Sequence, residues 1–291
     1  VADGLTTPIL LQRLDSIYQG DTLPEQTLTY LDYAWYLDRH AHDPGQLDYW
    51  TGRLAQLPEP LELPCDFART QTFDYQGLTR VHRLARELSQ ACDDFCAQAG
   101  VSPYMLFLAA FGLLLSRLSG KEDLLVGAAA AGRMLPETRE MCGPFINTLP
   151  LRLRPQGQLT LKEYLDALRE EVNGMLDHQQ VGLEEIVSAL DLPRTLTQSP
   201  LFQVIFSQRP VDAGSFTLGG APLEYLPTPL GSARMELWVE LFRDSEGYGL
   251  QLEYATQLFL DETAAYFGRC LETLVRSMLS AGETPLEELE A

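Results

Sequence analysis

The chain has 291 residues, 45% of them hydrophobic and 21% charged, which excludes a disordered, coiled-coil or collagen-like polymer and leaves room for one large domain or two ordinary ones. Lys and Arg total 21 against 41 Asp and Glu, a formal net charge of −20. So acidic a chain has no general electrostatic reason to hold nucleic acid or an anionic membrane, and no run of Lys or Arg offers a local exception.

Thr7 ahead of Pro8 predicts an N-cap with proline at the first helical position. Ile9, Leu10, Leu11, Leu14 and Ile17 continue the stripe and Gly20 ends it. Further helices are expected over Tyr30–Ala41 and Gln46–Leu57. Pro58, Pro60 and Pro64 break that pattern, and the aperiodic run from Cys65 to Gly77 reads as a linker between two lobes. Thr79–Leu84 is expected as a strand and Ala85–Ala99 as a helix. Ser102–Pro103 caps a very apolar helix, Tyr104–Leu118, whose apolar run is shorter than the ~20 residues a bilayer needs and so reads as core. Asp123–Ala130 fits a buried strand, and Leu149, Leu151 and Leu153 alternate as in another. Leu161–Gln179 and Leu183–Leu190 are helical. Strands follow at Phe202–Ser207, Phe216–Leu218, Arg234–Phe242 and Tyr248–Tyr254, before a last helix, Glu262–Leu279, capped by Asp261. The expected class is α+β, one mixed sheet covered by helices. Residues 1–65 stand apart: three helices without a strand bury little surface on their own and need something else to pack against.

No complete catalytic constellation is visible. The chain lacks a glycine-rich phosphate loop, a G-x-S-x-G elbow and an H-E-x-x-H helix. Five cysteines at irregular spacing argue against a disulfide framework and for a reducing compartment. Cys92 and Cys96 share a helix face, but no second pair follows at zinc spacing, so they read as ordinary helix cysteines and no metal is expected. His40 and His42 are two apart and would face different directions on a helix. His178 ends a helix, where the dipole favours a partly charged imidazole. Val1-Ala2-Asp3-Gly4 has neither the basic nor the apolar region of a signal peptide, so a soluble, cytoplasmic protein is expected.

Six short motifs, in order, resemble those of the condensation domain of nonribosomal peptide synthetases. They are Tyr30-Leu-Asp-Tyr33-Ala-Trp35, Leu61-Glu-Leu-Pro64-Cys-Asp66, Val126-Gly127 with Gly132-Arg133, Gly143-Pro-Phe145-Ile-Asn147-Thr148, His178-Gln179 with Leu183-Glu184, and Arg194 through Ser199-Pro-Leu-Phe202. Gly182 departs from the pattern, standing where the family usually has proline. At the start, Asp3-Gly4 is similar to the end of the family's H-H-x-x-x-D-G signature, whose two histidines would then precede Val1. On this resemblance the chain is expected to be cut inside the motif and inactive alone.

The resemblance implies a chloramphenicol-acetyltransferase-like fold of two lobes. Residues 1–65 would be the last helices of the N-terminal lobe, whose remainder is missing. Residues 66–78 would be a linker, and 79–291 a complete C-terminal lobe. It implies an acyltransferase that joins a donor acyl thioester to the amine of an acceptor. Both would ride on phosphopantetheine arms of peptidyl carrier proteins, with no cofactor of the domain's own and with adjacent synthetase domains as partners. No catalytic residue is expected within the chain. Asp3 and Gly4 would be the motif remnant, with Asp3 paired to Arg133. Taken alone, Arg133 reads as a surface arginine after a strand. Asn147 and Thr148 would either cap a turn or line the tunnel, and Ser207 and Gln208 are further candidates for the lining. Two rivals are a non-catalytic module that recruits a partner protein and an epimerisation domain. Heterocyclisation is disfavoured because Asp3-Gly4 lacks that subclass's D-x-x-x-x-D-x-x-S pattern.

Overall fold

The computed structural model describes residues 2–40, 44–70, 72–192, 199–209, 216–223 and 231–290. His42, Val1 and most of the Arg194–Phe202 motif lie outside the described residues.

Three helices open the chain: α1 (Thr6–Gln19), α2 (Tyr30–His40) and α3 (Pro44–Arg53). Gly20 closes α1 at φ +91°, where glycine carries no steric penalty. The start of α1 differs from expectation. Thr7 lies inside the helix and the N-cap position is Leu5; the side chain that serves the helix start is Asp3, further out, whose Oδ1 accepts from the Thr6 backbone N–H at 2.9 Å. A capping side chain three residues ahead satisfies one of the helix's orphan donors, which Pro8 cannot do.

The apolar stripe of α1 is largely uncovered, with Leu10, Leu14 and Ile17 each about half exposed; on α2, Leu31 and Trp35 are exposed too. By contrast α3 is anchored. Trp50 is 2% exposed and its Nε1 donates to the His178 carbonyl at 2.8 Å, while Leu54 joins the main core. The stretch read as a linker is also held in place. The Asp66 N–H donates to Leu258 O at 2.9 Å, its carboxylate accepts from the Leu260 N–H, and the Arg69 guanidinium pairs with the buried Glu236.

From there β1 (Gly77–Arg83) leads into α4 (Arg86–Ala99), α5 (Pro103–Ser119), β2 (Leu124–Ala130) and β3 (Asn147–Leu153). Next come α6 (Leu161–Asp177), α7 (Leu183–Ala189), β4 (Val204–Gln208) and the two-residue strands β5 (Thr217–Leu218) and β6 (Ala221–Pro222). Then β7 (Leu237–Asp244), β8 (Gly247–Ala255) and α8 (Asp261–Leu279) follow, with a short 3-10 turn at Leu286–Glu288 after them. Asp261 does not cap α8 as expected. It sits in the first turn and bonds Arg80 and the Tyr254 hydroxyl instead, tying the helix to β1 and β8.

One six-stranded sheet runs in the order β1-β8-β7-β4-β2-β3. β4 is parallel to β2 and β7, and the remaining neighbours are antiparallel. This is the mixed, helix-covered α+β sheet that the sequence predicts. Its two faces differ because side chains alternate along a strand. Leu237, Val239 and Leu241 of β7 are buried, whereas Trp238 and Glu240 between them are half-buried on the other face. α5 is buried from Leu106 to Leu115 and packs against α4, α6, α8 and β4. Among the described residues no single helix is long and apolar enough to cross a membrane.

Candidate functional site

Strand β2 ends at Ala130, and the chain must reverse to enter β3, its antiparallel partner. Gly132 makes the close approach possible. Its φ is +67°, and a methyl group there would collide with the Phe145 carbonyl oxygen. The next side chain, Arg133, is thereby directed under the loop that precedes β3.

Arg133 meets Asp3 there, 130 positions away in sequence. Their side chains are 5% and 3% exposed, and Arg133 Nη2 lies 3.1 Å from Asp3 Oδ1 and 3.3 Å from Oδ2. Nη1 donates to the carbonyls of Thr138 and Met141, the latter at 2.6 Å. The guanidinium also sits 4.1 Å from the centre of the Phe145 ring, a cation–π distance. Asp3 Oδ2 accepts from the Phe145 N–H at 3.1 Å, and Oδ1 accepts from the Thr6 hydroxyl at 2.8 Å. Burial works to raise the Asp3 carboxyl. The Thr6 hydroxyl, the Phe145 N–H and Arg133 outweigh it and hold the group below the usual carboxylate range.

The same loop faces α2 on its other side. Tyr30 donates its hydroxyl to Pro144 O at 3.1 Å and Tyr33 to Gly132 O at 3.2 Å. Both rings pack on Phe145, Tyr30 edge-on at 5.1 Å and Tyr33 tilted at 4.8 Å. A third support comes from the end of α6. Gln179 accepts from the Gly132 N–H through Oε1 and donates to Leu176 O through Nε2. Asn147 donates Nδ2 to the carbonyls of Gln179, at 3.0 Å, and Val181, at 2.7 Å. Around this frame lies a cavity of about 380 Å³, lined by Tyr30, Tyr33, Gly132, Phe145, Asn147 and Gln179 among others.

Of the residues singled out from sequence, Asp3, Gly4, Arg133 and Asn147 are therefore neighbours. Thr148 is next along β3, paired across to Ala129, and does not line this cavity. Ser207 and Gln208 end β4, away from it: the Ser207 hydroxyl is buried and accepts from Trp238 Nε1 at 2.8 Å, while Gln208 is exposed. His178 is the C-cap of α6. Its Nδ1 donates to Gly174 O at 2.8 Å, and its ring stacks on Tyr49 with centres 3.8 Å apart. Cys92 and Cys96 face the core, and burial pushes their thiols up to about 12 and about 11. Among the described residues no group of three His, Cys, Asp or Glu side chains is placed to hold a metal.

Sequence reasoning passed over Thr6 and Gln179 as site residues. Thr6 follows Asp3 at the spacing of a capped helix start, a signal that Thr7-Pro8 obscured. Gln179 stood within a quoted motif but carries no chemistry of its own. Only the fold shows that its amide is spanned by two backbone partners.

The family model described as the condensation domain matches residues 1–291. The chain belongs to the condensation-domain family. Among curated relatives of this condensation domain, surfactin synthase subunit 2 of Bacillus subtilis (strain 168) is 33% identical over 293 residues, covering 99% of the chain and 8% of that protein. Tyrocidine synthase 3 of Brevibacillus parabrevis is 29% identical over 292 residues, covering 99% of the chain and 4% of that protein. The chain thus spans less than a tenth of the length of these two relatives. Among solved structures, a four-domain nonribosomal peptide synthetase bound to AMP and glycine superimposes at a TM-score of 0.89. It is 20% identical, with 99% of this chain and 23% of that one covered. The X-domain from teicoplanin biosynthesis superimposes at 0.84, at 23% identity, covering 100% and 69%. Likeness at these identities concerns the fold alone.

Proposed function

We propose that this condensation domain belongs to a protein that forms amide bonds between acyl groups carried on peptidyl carrier proteins. The acceptor's amine attacks the donor's thioester carbonyl. The C–N bond forms, the C–S bond breaks, and the donor arm leaves as a thiolate that takes up the proton released by the amine. A thioester is already activated, so the protein's main task is to hold amine and carbonyl in a reactive geometry. The phosphopantetheine arm arrives with its carrier, as part of the substrate.

The observation that carries the reading is the buried Asp3–Arg133 pair. The motif that Asp3-Gly4 resembles has two histidines just upstream, and the pair would fix the backbone that presents them. A histidine so placed would accept the ammonium proton or hydrogen-bond the tetrahedral intermediate, a contribution of ~10²–10⁴-fold for general-base work. Within this chain the roles are then supporting ones. Asp3 and Arg133 lock the motif to the β2–β3 connection, Gly4 carries the motif into the turn ahead of α1, and Asn147 with Thr148 steadies the entry to β3. Ser207, buried and bonded to Trp238, is left to the packing of the sheet, so of the two only the exposed Gln208 remains a candidate for contact with substrate.

In this reading 1–65 are the final helices of one lobe and 79–291 the second lobe, joined by 66–78. The bare apolar faces of α1 and α2 support it, because they match the sheet-facing side of helices in a larger lobe.

The test is to present the parent domain with an aminoacyl donor and an aminoacyl acceptor on separate carriers and to weigh both carriers. Amide formation adds the donor residue's mass to the acceptor carrier and returns the donor carrier as free thiol. An unchanged acceptor overturns the reading. Inverted donor stereochemistry without transfer would indicate an epimerisation domain, and no change in either carrier a recruiting module. The teicoplanin X-domain, solved in complex with OxyB, has the same fold, so the product has to decide.

A further inference from the structure

We infer that the Thr6 hydroxyl is a positioning group that holds the Asp3 carboxylate and the Gly143–Phe145 loop in one register, and that through this it sets the rate of the amide-forming step; the second half rests on the function proposed above. A hydroxyl has one proton and two lone pairs. Thr6 Oγ1 lies 2.8 Å from Asp3 Oδ1 and 3.0 Å from Gly143 O, both acceptors, so they compete for its single proton. The ionised carboxylate is nearer and its bond is charge-assisted, so it takes the proton. The lone pairs face the Gly143 N–H at 3.1 Å and Arg133 Nη2 at 3.4 Å. Thr6 is 2% exposed, so water does not substitute for any of these partners.

One side chain therefore touches Asp3, Arg133 and the start of the Gly143–Phe145 loop together. Its bond to Oδ1 fixes the Asp3 rotamer that turns Oδ2 towards the Phe145 N–H. Its bond from Gly143 fixes the other end of that loop, on which Phe145 lies against the Arg133 guanidinium. Helix capping alone needs much less. The Thr6 backbone N–H already donates to Asp3 at 2.9 Å, and valine at this position would keep that bond and the side chain's shape.

The experiment compares Thr6→Val and Thr6→Ser in the parent domain. Thr6→Val is expected to lower kcat for amide formation by ~10-fold or more with KM for the acceptor carrier unchanged, because misplacement costs the chemical step rather than binding. Thr6→Ser, which keeps the hydroxyl, is expected to restore it. By carbon NMR the Asp3 carboxyl should titrate at higher pH in Thr6→Val than in the wild type or Thr6→Ser. Wild-type kcat in Thr6→Val overturns the inference, as does a Thr6→Ser variant equally impaired. Should Thr6→Val fail to fold, hydrogen exchange of the wild-type Gly143 amide decides: slow exchange supports the bond to Thr6, and exchange at the rate of a free loop refutes it. If the wild-type parent forms no amide, the proposed function fails. The Asp3 titration and the Gly143 exchange then still decide whether Thr6 couples the two segments.

Discussion

Asp3 joins the first turn of α1 to a loop 142 positions later, and both connections depend on its charge. Replacing it with asparagine would leave the Arg133 guanidinium buried without a counter-charge. Breaking a buried pair in this way costs ~3–5 kcal/mol. Urea unfolding of Asp3→Asn should show a midpoint lowered to match that loss, at an unchanged slope. Arg133→Ala should cost a similar amount, and the double variant little more than either single one, because both remove the same interaction. Fully additive losses would contradict pairing.

The pH dependence of that stability has a definite sign. The folded Asp3 carboxyl titrates below its unfolded value of ~3.9, so its contribution is complete above that value and is lost as pH falls through the lower folded one. Acid unfolding of Asp3→Asn should accordingly lack this group's part of the slope. At this scale the sequence carried the pair only through a resemblance. No composition or spacing rule connects residue 3 to residue 133, whereas the motif that Asp3-Gly4 resembles did.

At the scale of elements, periodicity did better. The helix of Leu106–Leu115 and the buried strand Leu124–Ala130 were legible because burial on all sides leaves an unbroken apolar run. What failed were local assignments that ignored tertiary partners. Thr7-Pro8 has the form of a helix start, yet the helix begins at Thr6, whose N–H donates to Asp3 because Arg133 and Phe145 hold that carboxylate there. Asp261 is drawn from its capping role by Arg80 and Tyr254. The turn between β2 and β3 was legible only as a glycine. Gly132→Ala should be among the most damaging single changes, above ~4 kcal/mol, because neither the backbone angle nor the Phe145 carbonyl can yield. Expression of Gly132→Ala as a folded protein with a normal melting temperature would show that the turn is softer than the geometry states.

The helices α1 and α2 raise a question about the molecule as a whole. Leu14 and Ile17 are exposed in this chain, so Leu14→Gln with Ile17→Gln should change its stability by less than ~0.5 kcal/mol. In the parent domain the same pair should cost several times more if another part of that lobe covers them. Equal, small effects in both would separate α1 from any such packing.

The molecule therefore has a well-packed body and two half-covered helices, α1 and α2, with the Asp3–Arg133 pair and the Phe145 loop where they meet. The layout of that junction could not be derived from local patterns. It depends on three segments that are distant in sequence, around residues 3, 133 and 145, and on the amide of Gln179 between them.

The central claim, that this junction supports an amide-forming centre, is tested most directly by replacing with alanine the residue two positions ahead of Val1 in the parent, which the H-H-x-x-x-D-G match assigns as the second histidine. Transfer between loaded carriers and thermal unfolding would be measured on the same preparation. The account predicts loss of the amide product with an unchanged melting temperature. Undiminished transfer would contradict it.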